Sequence, residues 1–422
     1  AEPATSATGL GQPRRVSHPA TDGRRIGQDV SMDFSIPAEL TELRGAFADF
    51  LEREVRPLEQ EYTREYWGPS LDPEAATPLI SQVRRRSADA GFYAPYLPEA
   101  AGGHGLSVLG TTLLVEDAAA SGMRLAMVAV APPNPAGPST LLLKLPAHLW
   151  STYVLPVATG HQTMCFALSE PEAGSDAQSI RTQAVLDGDE WVINGTKHYI
   201  TNGADANFAI VFAVTDAQKR AAGGITAFVV PREQYRVGQI QYNMSDSHPA
   251  ELFFDNARVP ADHVIGEVGM GFLEAMSFLN AGRAYIGAQA LGLAEFCLTS
   301  AAEHTRSRTA FGKPLAKFQG VSFPLARSKV DIEAMRWLVY HLAWRVDTHQ
   351  DALAIMGDAS ITKYATTEWA YEVADRALQA YGGMGLMREG PIERVLRHLR
   401  MLRVVEGASE VQLLVIARTL GL

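Results

Sequence analysis

The chain has 422 residues, 47% hydrophobic and 20% charged, so it can bury large cores and is not disordered as a whole. Its 37 lysines and arginines against 47 aspartates and glutamates give a net charge of −10, which argues against a nucleic-acid-binding protein. Its two cysteines, Cys165 and Cys297, lie far apart in apolar stretches. This excludes a disulfide framework and a cysteine zinc site, and it favours a cytoplasmic location.

The N-terminal part of the chain divides into two kinds of sequence. Residues 1–32 mix glycine, proline, serine and threonine without an aromatic residue, which predicts a disordered segment. From Pro37 onward, apolar residues recur three or four positions apart, as in amphipathic helices. A helical domain is therefore expected over 33–164. The run 131–138 is excluded from helix interiors because proline lacks an N–H donor. The apolar runs fall short of the roughly 18 residues that a spanning helix needs, so no membrane span is expected.

Between residues 165 and 270 the hydrophobic period changes to two, which predicts a small β-domain. Strand-like runs occur at Trp191–Ile193, Phe208–Val214, Ile225–Val230 and Glu251–Phe254. Four glycine-containing pairs are interpreted as turns: Asp187-Gly188, Asn194-Gly195, Asn202-Gly203 and Gly223-Gly224. The helical period returns over 271–422 in four long segments (272–306, 315–349, 352–381 and 389–420), which predicts a helix bundle.

Two stretches of the β-domain could carry chemistry. The first, 166–176, ends in Gly174-Ser175-Asp176, where backbone N–H groups beside hydroxyls can bind an anion. An ordinary turn that enters a strand is the alternative. The second, 191–203, places Tyr199 and Thr201 on one face of a strand, where they could stack a flat cofactor and hydrogen-bond its edge. A cross-strand aromatic pair is the alternative there.

A third stretch combines the glycine cluster 379–386 with Glu406, which lies between Val405 and Gly407. Burial among apolar neighbours raises the pKa of a carboxyl group and can bring it into the range of a general base. Helix capping or an ion pair with Arg403 would explain the same residue without chemistry.

A fourth stretch, 306–313, closes a predicted helix. Its Arg308 and Phe311 offer a guanidinium group and a ring to a nucleotide. Arginines are also favoured at a helix C-terminus by the helix dipole alone.

In this order, the four stretches resemble the acyl-CoA dehydrogenase family of flavoproteins over about residues 35–422. The segment 167–179 fits the first signature of that family, and 379–386 with Glu389 and Arg394 fits the second. The resemblance implies a mostly α fold with an N-terminal helical domain, a central β-barrel and a C-terminal four-helix bundle. It also implies FAD bound between barrel and bundle.

The resemblance assigns the FAD site by position. The β-domain positions are Phe166, Leu168, Ser169, Gly174, Ser175, Tyr199 and Thr201. Positions matching the adenylate site completed by a neighbouring subunit are Arg308, Phe311, Gln319, Gln379, Gly382 and Gly383, and those near the flavin are Ala408 and Glu410. A homotetramer built as a dimer of dimers is implied.

By the same resemblance, Glu406 matches the catalytic base. Gly282 occupies the position where some members carry the base instead, and glycine cannot serve. The implied substrate-binding positions are Ser175, Asn280, Arg283, Val405 and Gly407. Ala408 replaces the usual threonine, and the proline-rich run departs from the helix that usually lines the acyl pocket, so the acyl group is not determined.

The implied reaction is α,β-dehydrogenation of an acyl thioester to the trans-2-enoyl thioester, with the acyl group carried by coenzyme A or by a carrier protein. Glu406 would take the α-proton, the β-hydrogen would leave as hydride to flavin N5, and an electron-transfer flavoprotein would receive the electrons. Two alternatives are an oxidase that reduces dioxygen and a non-dehydrogenating, flavin-bearing DNA-binding homologue. No metal site, nucleic-acid partner or membrane partner is expected.

Overall fold

The computed structural model describes residues 35–66, 73–135, 137–245, 247–348 and 354–422. The segment 1–32, predicted to be disordered, lies outside the described residues. No described helix is long and apolar enough to cross a membrane.

The N-terminal part is helical, as the apolar period predicts. Its helices are α1 (Ala38–Phe50), α2 (Arg56–Tyr66), α3 (Pro73–Asp89), α4 (Val108–Ala120), α5 (Ala126–Val130), α6 (Trp150–Tyr153) and α7 (Leu155–Ala158), with a π-helical turn, Leu51–Val55, between α1 and α2. Phe47 is fully buried, with its ring centroid 5.1 Å from that of Phe92. The described residues of the proline-rich run, 131–135 and 137–138, are not helical, as expected. Tyr96 Oη donates to the carbonyls of Ala131 and Pro138 at 3.2 and 2.6 Å, so one side chain connects the two ends of the proline-rich run.

The middle part is a sheet, as the period of two predicts. Its strands are β1 (Met164–Ala167), β2 (Gln183–Asp187), β3 (Glu190–Ile200), β4 (Phe208–Val214), β5 (Ile225–Pro231), β6 (Arg236–Ile240), β7 (Ala250–Pro260) and β8 (Val264–Ile265). The order is β6-β7-β3-β2-β4-β5-β8, and β1 pairs with β4 in parallel. Alternate side chains of β4 enter two cores, with Ile210 facing the N-terminal helices and Val211 packing among the strands. Because both faces of β4 are covered, its sequence is continuously apolar.

The sheet is not the closed barrel that we expected. Among the described residues, β6 and β8 are its two edges and do not pair with each other. Strand β8 contains only Val264–Ile265, and the β6–β7 ladder shifts register between Val237 and Ile240. Neither edge therefore offers the long regular ladder that closure of a barrel requires.

One predicted turn is also wrong. Asn194-Gly195 lies inside β3, which continues through a register shift between Ile193 and Gly195. Gly195 has a φ of +154°, and a Cβ atom there would lie 2.4 Å from Thr182 Oγ1, so only glycine lets the two strands approach this closely. The pairs at 187–188, 202–203 and 223–224 do form turns.

The C-terminal part is helical, with helices α8 (Gly271–Ser307), α9 (Gln319–Thr348), α10 (Met356–Tyr381), α11 (Pro391–Leu402) and α12 (Ser409–Thr419); β9 (Thr309–Ala310) and β10 (Lys313–Pro314) form a hairpin after α8. The first three helices agree with the prediction. The fourth predicted segment is two helices, because Glu406 and Gly407 have φ angles of +54° and +94°. Left-handed residues cannot continue a right-handed helix, so the chain turns at this point.

Candidate active site

Glu406 lies in the turn between α11 and α12, which Ser409 N closes by donating to Arg403 O at 3.0 Å. Neither structural explanation for this residue holds. Arg403 pairs with Glu368, with Nε 2.8 Å from Oε1, and the N-cap of α12 is Ala408. Glu406 therefore neither caps a helix nor pairs with Arg403.

The Glu406 carboxyl group faces α8. Its Oε2 atom is buried and accepts no hydrogen bond from the described residues. A Cβ atom on Gly282 would lie 3.6 Å from Glu406 Oε2 and 3.6 Å from the carbonyl oxygen of Pro133. The glycine thus leaves room for one small group between the carboxyl and the proline-rich run.

Burial raises the pKa of Glu406 to about 7, against the opposing charges of Lys363 and Arg283. A buried carboxylate without donors is poorly solvated, so its neutral form gains relative to its charged form. At neutral pH this group is part ionised and is a stronger base than an ordinary glutamate.

Arg283, on α8, is buried beside Glu406. Its guanidinium donates to Asn280 Oδ1 at 2.7 Å and to Ser360 Oγ at 3.3 Å, and its Nε atom is buried without an acceptor among the described residues. Burial lowers the pKa of Arg283 to about 10. Asn280 and Arg283, both expected at the site, are therefore brought to Glu406 by the same face of α8.

Two residues at this site were not predicted. Lys363 on α10 donates from Nζ to Gly407 O at 2.9 Å, and Gln412 on α12 donates from Nε2 to the same oxygen at 2.8 Å. Both side chains are fully buried. The sequence held a signal for Lys363, because the helical spacing places it on the same face as Ala359 and Ala370. In the structure both alanines are buried.

On the β-domain, a buried ion pair fixes the segment 166–176. Lys197 on β3 is fully buried and donates to Leu168 O at 2.9 Å and to Glu170 Oε1 at 2.8 Å. His198 N donates to Ser169 O at 2.9 Å. The predicted positions Leu168 and Ser169 are thus held against β3 through their carbonyl oxygens, one by the Lys197 side chain and one by the His198 main chain.

Phe166 connects this segment to the bundle. Its ring stacks on that of Phe278 on α8, with centroids 5.7 Å apart. Phe278 lies two residues before Asn280, so the β-domain segment and the Glu406 site share one stretch of α8. Farther along the segment, Gly174 and Ser175 are exposed.

Tyr199 and Thr201 do not share a strand face, contrary to the prediction. Tyr199 lies at the register shift between Lys197 and Ile200, with a φ of +59°, and 66% of its surface is exposed. Thr201 follows the end of β3, in a turn. The bulge breaks the alternation of side chains on which the prediction relied.

The remaining predicted residues lie on the surface or flank the Glu406 turn. Phe311, at the tip of the β9–β10 hairpin, is 95% exposed. The other exposed residues of the adenylate group are Arg308, Gln319, Gln379, Gly382 and Gly383. Val405 and Ala408 flank the turn and are half-buried, and Glu410 is exposed in the first turn of α12.

Comparisons with known proteins agree with this arrangement. Models of the acyl-CoA dehydrogenase N-terminal, middle and C-terminal domains match residues 37–144, 165–257 and 269–421. A probable acyl-CoA dehydrogenase of Mycobacterium tuberculosis is 36% identical over 392 residues, covering 92% of this chain and 96% of its own. The chain belongs to the acyl-CoA dehydrogenase family.

Two further relatives illustrate the range of this family. The mitochondrial short-chain specific acyl-CoA dehydrogenase of Rattus norvegicus is 34% identical, covering 94% of this chain and 93% of its own. The butyryl-CoA dehydrogenase of Megasphaera elsdenii has a similar structure, with a TM-score of 0.80 and 32% identity over 93% of this chain and all of its own. As a member of the acyl-CoA dehydrogenase family, the protein is an oxidoreductase that acts on CH–CH groups, and its cofactor is FAD.

The residues present fit a bound cofactor and substrate. At Gly174, Gly382 and Gly383 an added Cβ atom would meet nothing within 4 Å, so their backbone is open to a bound group. Around the turn, Glu406 Oε2, Arg283 Nε and Gln412 Oε1 are buried without partners among the described residues. Buried polar atoms are normally satisfied, so these three indicate a polar ligand at this place.

Proposed function

We propose that this acyl-CoA dehydrogenase family member converts an acyl thioester to the trans-2-enoyl thioester, with Glu406 as the catalytic base. The observation that carries the proposal is the buried, unpartnered Oε2 atom of Glu406, with its pKa raised to about 7 by burial. A general base works best when its pKa lies near the working pH.

The proposed reaction balances as the loss of one proton and one hydride. Glu406 takes the α-proton and becomes neutral, and the electron pair of the broken Cα–H bond forms the double bond as the β-hydrogen leaves. The Glu406 backbone N–H is assigned to the thioester carbonyl, where charge develops. FAD, when bound, supplies the hydride acceptor at its N5 atom. Arg283 and Asn280 are assigned to orient the thioester beside Glu406, because Arg283 holds Asn280 Oδ1 at 2.7 Å.

The FAD site is proposed to follow the predicted positions. Ser175 and the backbone of Gly174 would hold the pyrophosphate. Thr201 would bind the edge of the flavin ring, and Tyr199 would lie against its face. Exposure of Tyr199 supports this, because an aromatic residue with 66% of its surface exposed is open to stack on a planar group.

A second copy of the chain is proposed to complete the site, within a homotetramer. Phe311, at 95% exposure, has little contact inside its own chain. Helix α9 also exposes an apolar stripe at seven-residue spacing, formed by Phe323, Val330, Trp337 and Trp344. Large exposed apolar surfaces mark protein interfaces, and a self-complementary stripe is suited to a symmetric one.

An electron-transfer flavoprotein is the proposed electron acceptor, as the family resemblance implies. One similar structure comes from work on the electron transferring flavoprotein of Acidaminococcus fermentans, with a TM-score of 0.81 and 32% identity. Another is a prolyl acyl carrier protein oxidase, with 25% identity, which makes the oxidase reading and a carrier-bound substrate the second candidate. Peroxide formed per thioester consumed in air separates the two: near-stoichiometric peroxide would support the oxidase.

The DNA-binding alternative is disfavoured by the arginines between 388 and 403. Arg397 pairs with Glu393, Arg403 pairs with Glu368, and Arg394 donates to Gly122 O. Arginines held by internal partners are less able to neutralise phosphates. Tight, salt-dependent binding to DNA would contradict this conclusion.

We also propose a reducing compartment such as the cytoplasm, because Cys165 and Cys297 are buried free thiols.

The test is an anaerobic absorbance titration of the FAD-loaded protein with acyl-CoAs of graded length and branching. Bleaching of the flavin band by one class is expected, and it would also identify the substrate class. A yellow protein that no acyl-CoA bleaches would contradict the proposal and favour carrier-bound substrates or the non-dehydrogenating reading.

A further inference from the structure

Lys363 touches the backbone immediately after the proposed base. Its side chain comes from α10, is fully buried, and donates from Nζ to Gly407 O at 2.9 Å. Gln412, from α12, donates to the same oxygen at 2.8 Å. Two helices thus hold one carbonyl group of the Glu406–Gly407 turn.

The turn needs such support because its backbone is strained. Glu406 has a φ of +54° and Gly407 a φ of +94°. The left-handed conformation is unfavourable for residues with a side chain and persists only where surrounding contacts impose it. A carbonyl fixed by two donors is a contact of that kind.

A lysine is an unexpected choice for this purpose. In the described residues Lys363 has no carboxylate within ion-pair distance, and its bonded acceptor is the uncharged Gly407 carbonyl. Burying an ammonium group is unfavourable, and burial lowers the pKa of Lys363 to about 8, against the opposing charge of Glu406. Gln412 already supplies an uncharged donor, so the hydrogen bond alone does not require a charge at residue 363.

We propose that Lys363 is a positioning residue for the reaction: it holds the Glu406–Gly407 turn and supplies the positive charge that keeps the Glu406 carboxyl group ionised for proton abstraction. This inference rests on the proposed function. It assigns Lys363 no contact with the substrate.

The charged groups around Glu406 and Lys363 come from three helices. Arg283 on α8 is bonded to Asn280 and Ser360, and it opposes the rise in the pKa of Glu406 less than Lys363 does. On α10, Glu368 is paired with Arg403. On α12, Glu410 is exposed. Of the two positive charges that favour the ionised base, only Lys363 is hydrogen-bonded to the backbone of the Glu406–Gly407 turn through its charged group.

The experiment measures the rate of anaerobic flavin reduction between pH 6 and pH 10 in the FAD-loaded full chain, with a substrate that reduces the unmodified protein. Lys363→Gln removes the charge and keeps a donor, Lys363→Arg keeps the charge, and Gln412→Leu removes the uncharged donor to the same carbonyl. Flavin absorbance verifies folding and cofactor content. Lys329→Gln, on the exposed face of α9, is the control.

Because the charge is lost, the acid limb of the Lys363→Gln pH–rate profile is expected to shift to higher pH by about one unit or more. The rate at pH 7 should fall by about fivefold or more and should be largely regained at pH 9. Lys363→Arg should keep the acid limb of the unmodified protein. Gln412→Leu should lose rate by the same factor at every pH, because it removes an uncharged group and leaves every charge around Glu406 in place.

A Lys363→Gln profile lowered equally at every pH, with an unmoved acid limb, would overturn the inference. If Lys363→Gln fails to fold, Lys363→Arg decides: an acid limb displaced despite the retained charge would also overturn it. Failure of the proposed function looks different, since then no thioester reduces the unmodified protein, or Glu406→Gln is reduced as fast as the unmodified protein.

Discussion

Two glutamates of this molecule each lie near a fully buried lysine, and the two pairs have opposite properties, because only one of them is in ion-pair contact. In the β-domain, Lys197 bonds Glu170 directly at 2.8 Å; at the C-terminal turn, Lys363 bonds the Gly407 carbonyl instead, and Glu406 Oε2 has no donor among the described residues. The lysines are alike, since burial lowers the pKa of each to about 8. The glutamates differ in both pKa and bonding.

Direct contact with a charged lysine, together with hydrogen bonding, explains the difference in pKa. Burial raises the pKa of Glu170, but the Lys197 charge and donors from Lys197, Thr182 and Arg181 outweigh it, so the net pKa lies below the usual value. Burial raises the pKa of Glu406 to about 7, and the charges of Lys363 and Arg283 offset this only in part. A satisfied carboxylate stabilises the fold, whereas an unsatisfied one is available to take a proton.

The largest expected effect is on the unsatisfied glutamate. Glu406→Gln should reduce the rate of flavin reduction by acyl thioester about 10²–10⁴-fold, because an amide of nearly the same shape is not a base. Stopped-flow absorbance under anaerobic conditions measures the rate, and FAD content should be unchanged. Glu372→Gln, at an exposed position paired with Arg376, is the control. Near-normal reduction of the Glu406 variant would remove the distinction between the two pairs.

The satisfied pair should respond in stability. Lys197→Met should lower the free energy of unfolding by about 3–5 kcal/mol, because it leaves Glu170 buried without its charge partner. Urea denaturation measures this, and loss of FAD should accompany it because the segment 166–176 is released. The double variant with Glu170→Gln should regain much of the stability. A loss below about 1 kcal/mol for the single variant would show that the pair is not a structural link.

Activity and stability should depend on different glutamates, so they should be lost at different pH values. Glu406 must be ionised, so at pH 5.5 the reduction rate should be about 30-fold below that at pH 8. The folded pKa of Glu170 is depressed, so its contribution to stability is present above its usual pKa of 4.5 and is lost as pH falls through the folded value. At pH 5.5 the protein should therefore be folded and slow. Circular dichroism and flavin reduction at the same pH test this; unfolding that parallels the loss of rate would contradict it.

The smallest effects concern a glycine beside each pair. Gly195→Ala should destabilise the fold by about 1–3 kcal/mol, because its Cβ would lie 2.4 Å from Thr182 Oγ1. Gly282→Ala, in the middle of α8, should stabilise it by about 0.5–1 kcal/mol, because its Cβ would lie at an ordinary 3.6 Å from Glu406 Oε2. Thermal unfolding of both variants measures the difference. Equal losses at both positions would show that the space beside Glu406 is already filled.

The order of helices, strands and helices, together with the long helices of the C-terminal part, was predictable from the sequence, because hydrophobic period and glycine turns are local properties. Closure of the sheet was not, since it depends on how long the β6 and β8 edges are and how they meet. The bulge at Tyr199 and the strand through Gly195 were missed for a related reason. A glycine or a bulge inside a strand and a glycine in a turn have the same local pattern.

The sequence by itself determined that Glu406 stands in an apolar setting, next to a glycine, in a motif of one enzyme family. Only the tertiary structure decided that Arg403 is paired elsewhere, that Gly282 leaves space against Oε2, and that Lys363 reaches Gly407 from 44 positions away in the chain. The pKa of a carboxyl group depends on burial and on charges within a few ångströms. Those neighbours come from α8, α10 and α12, so the chemistry of Glu406 exists only once the helices have packed.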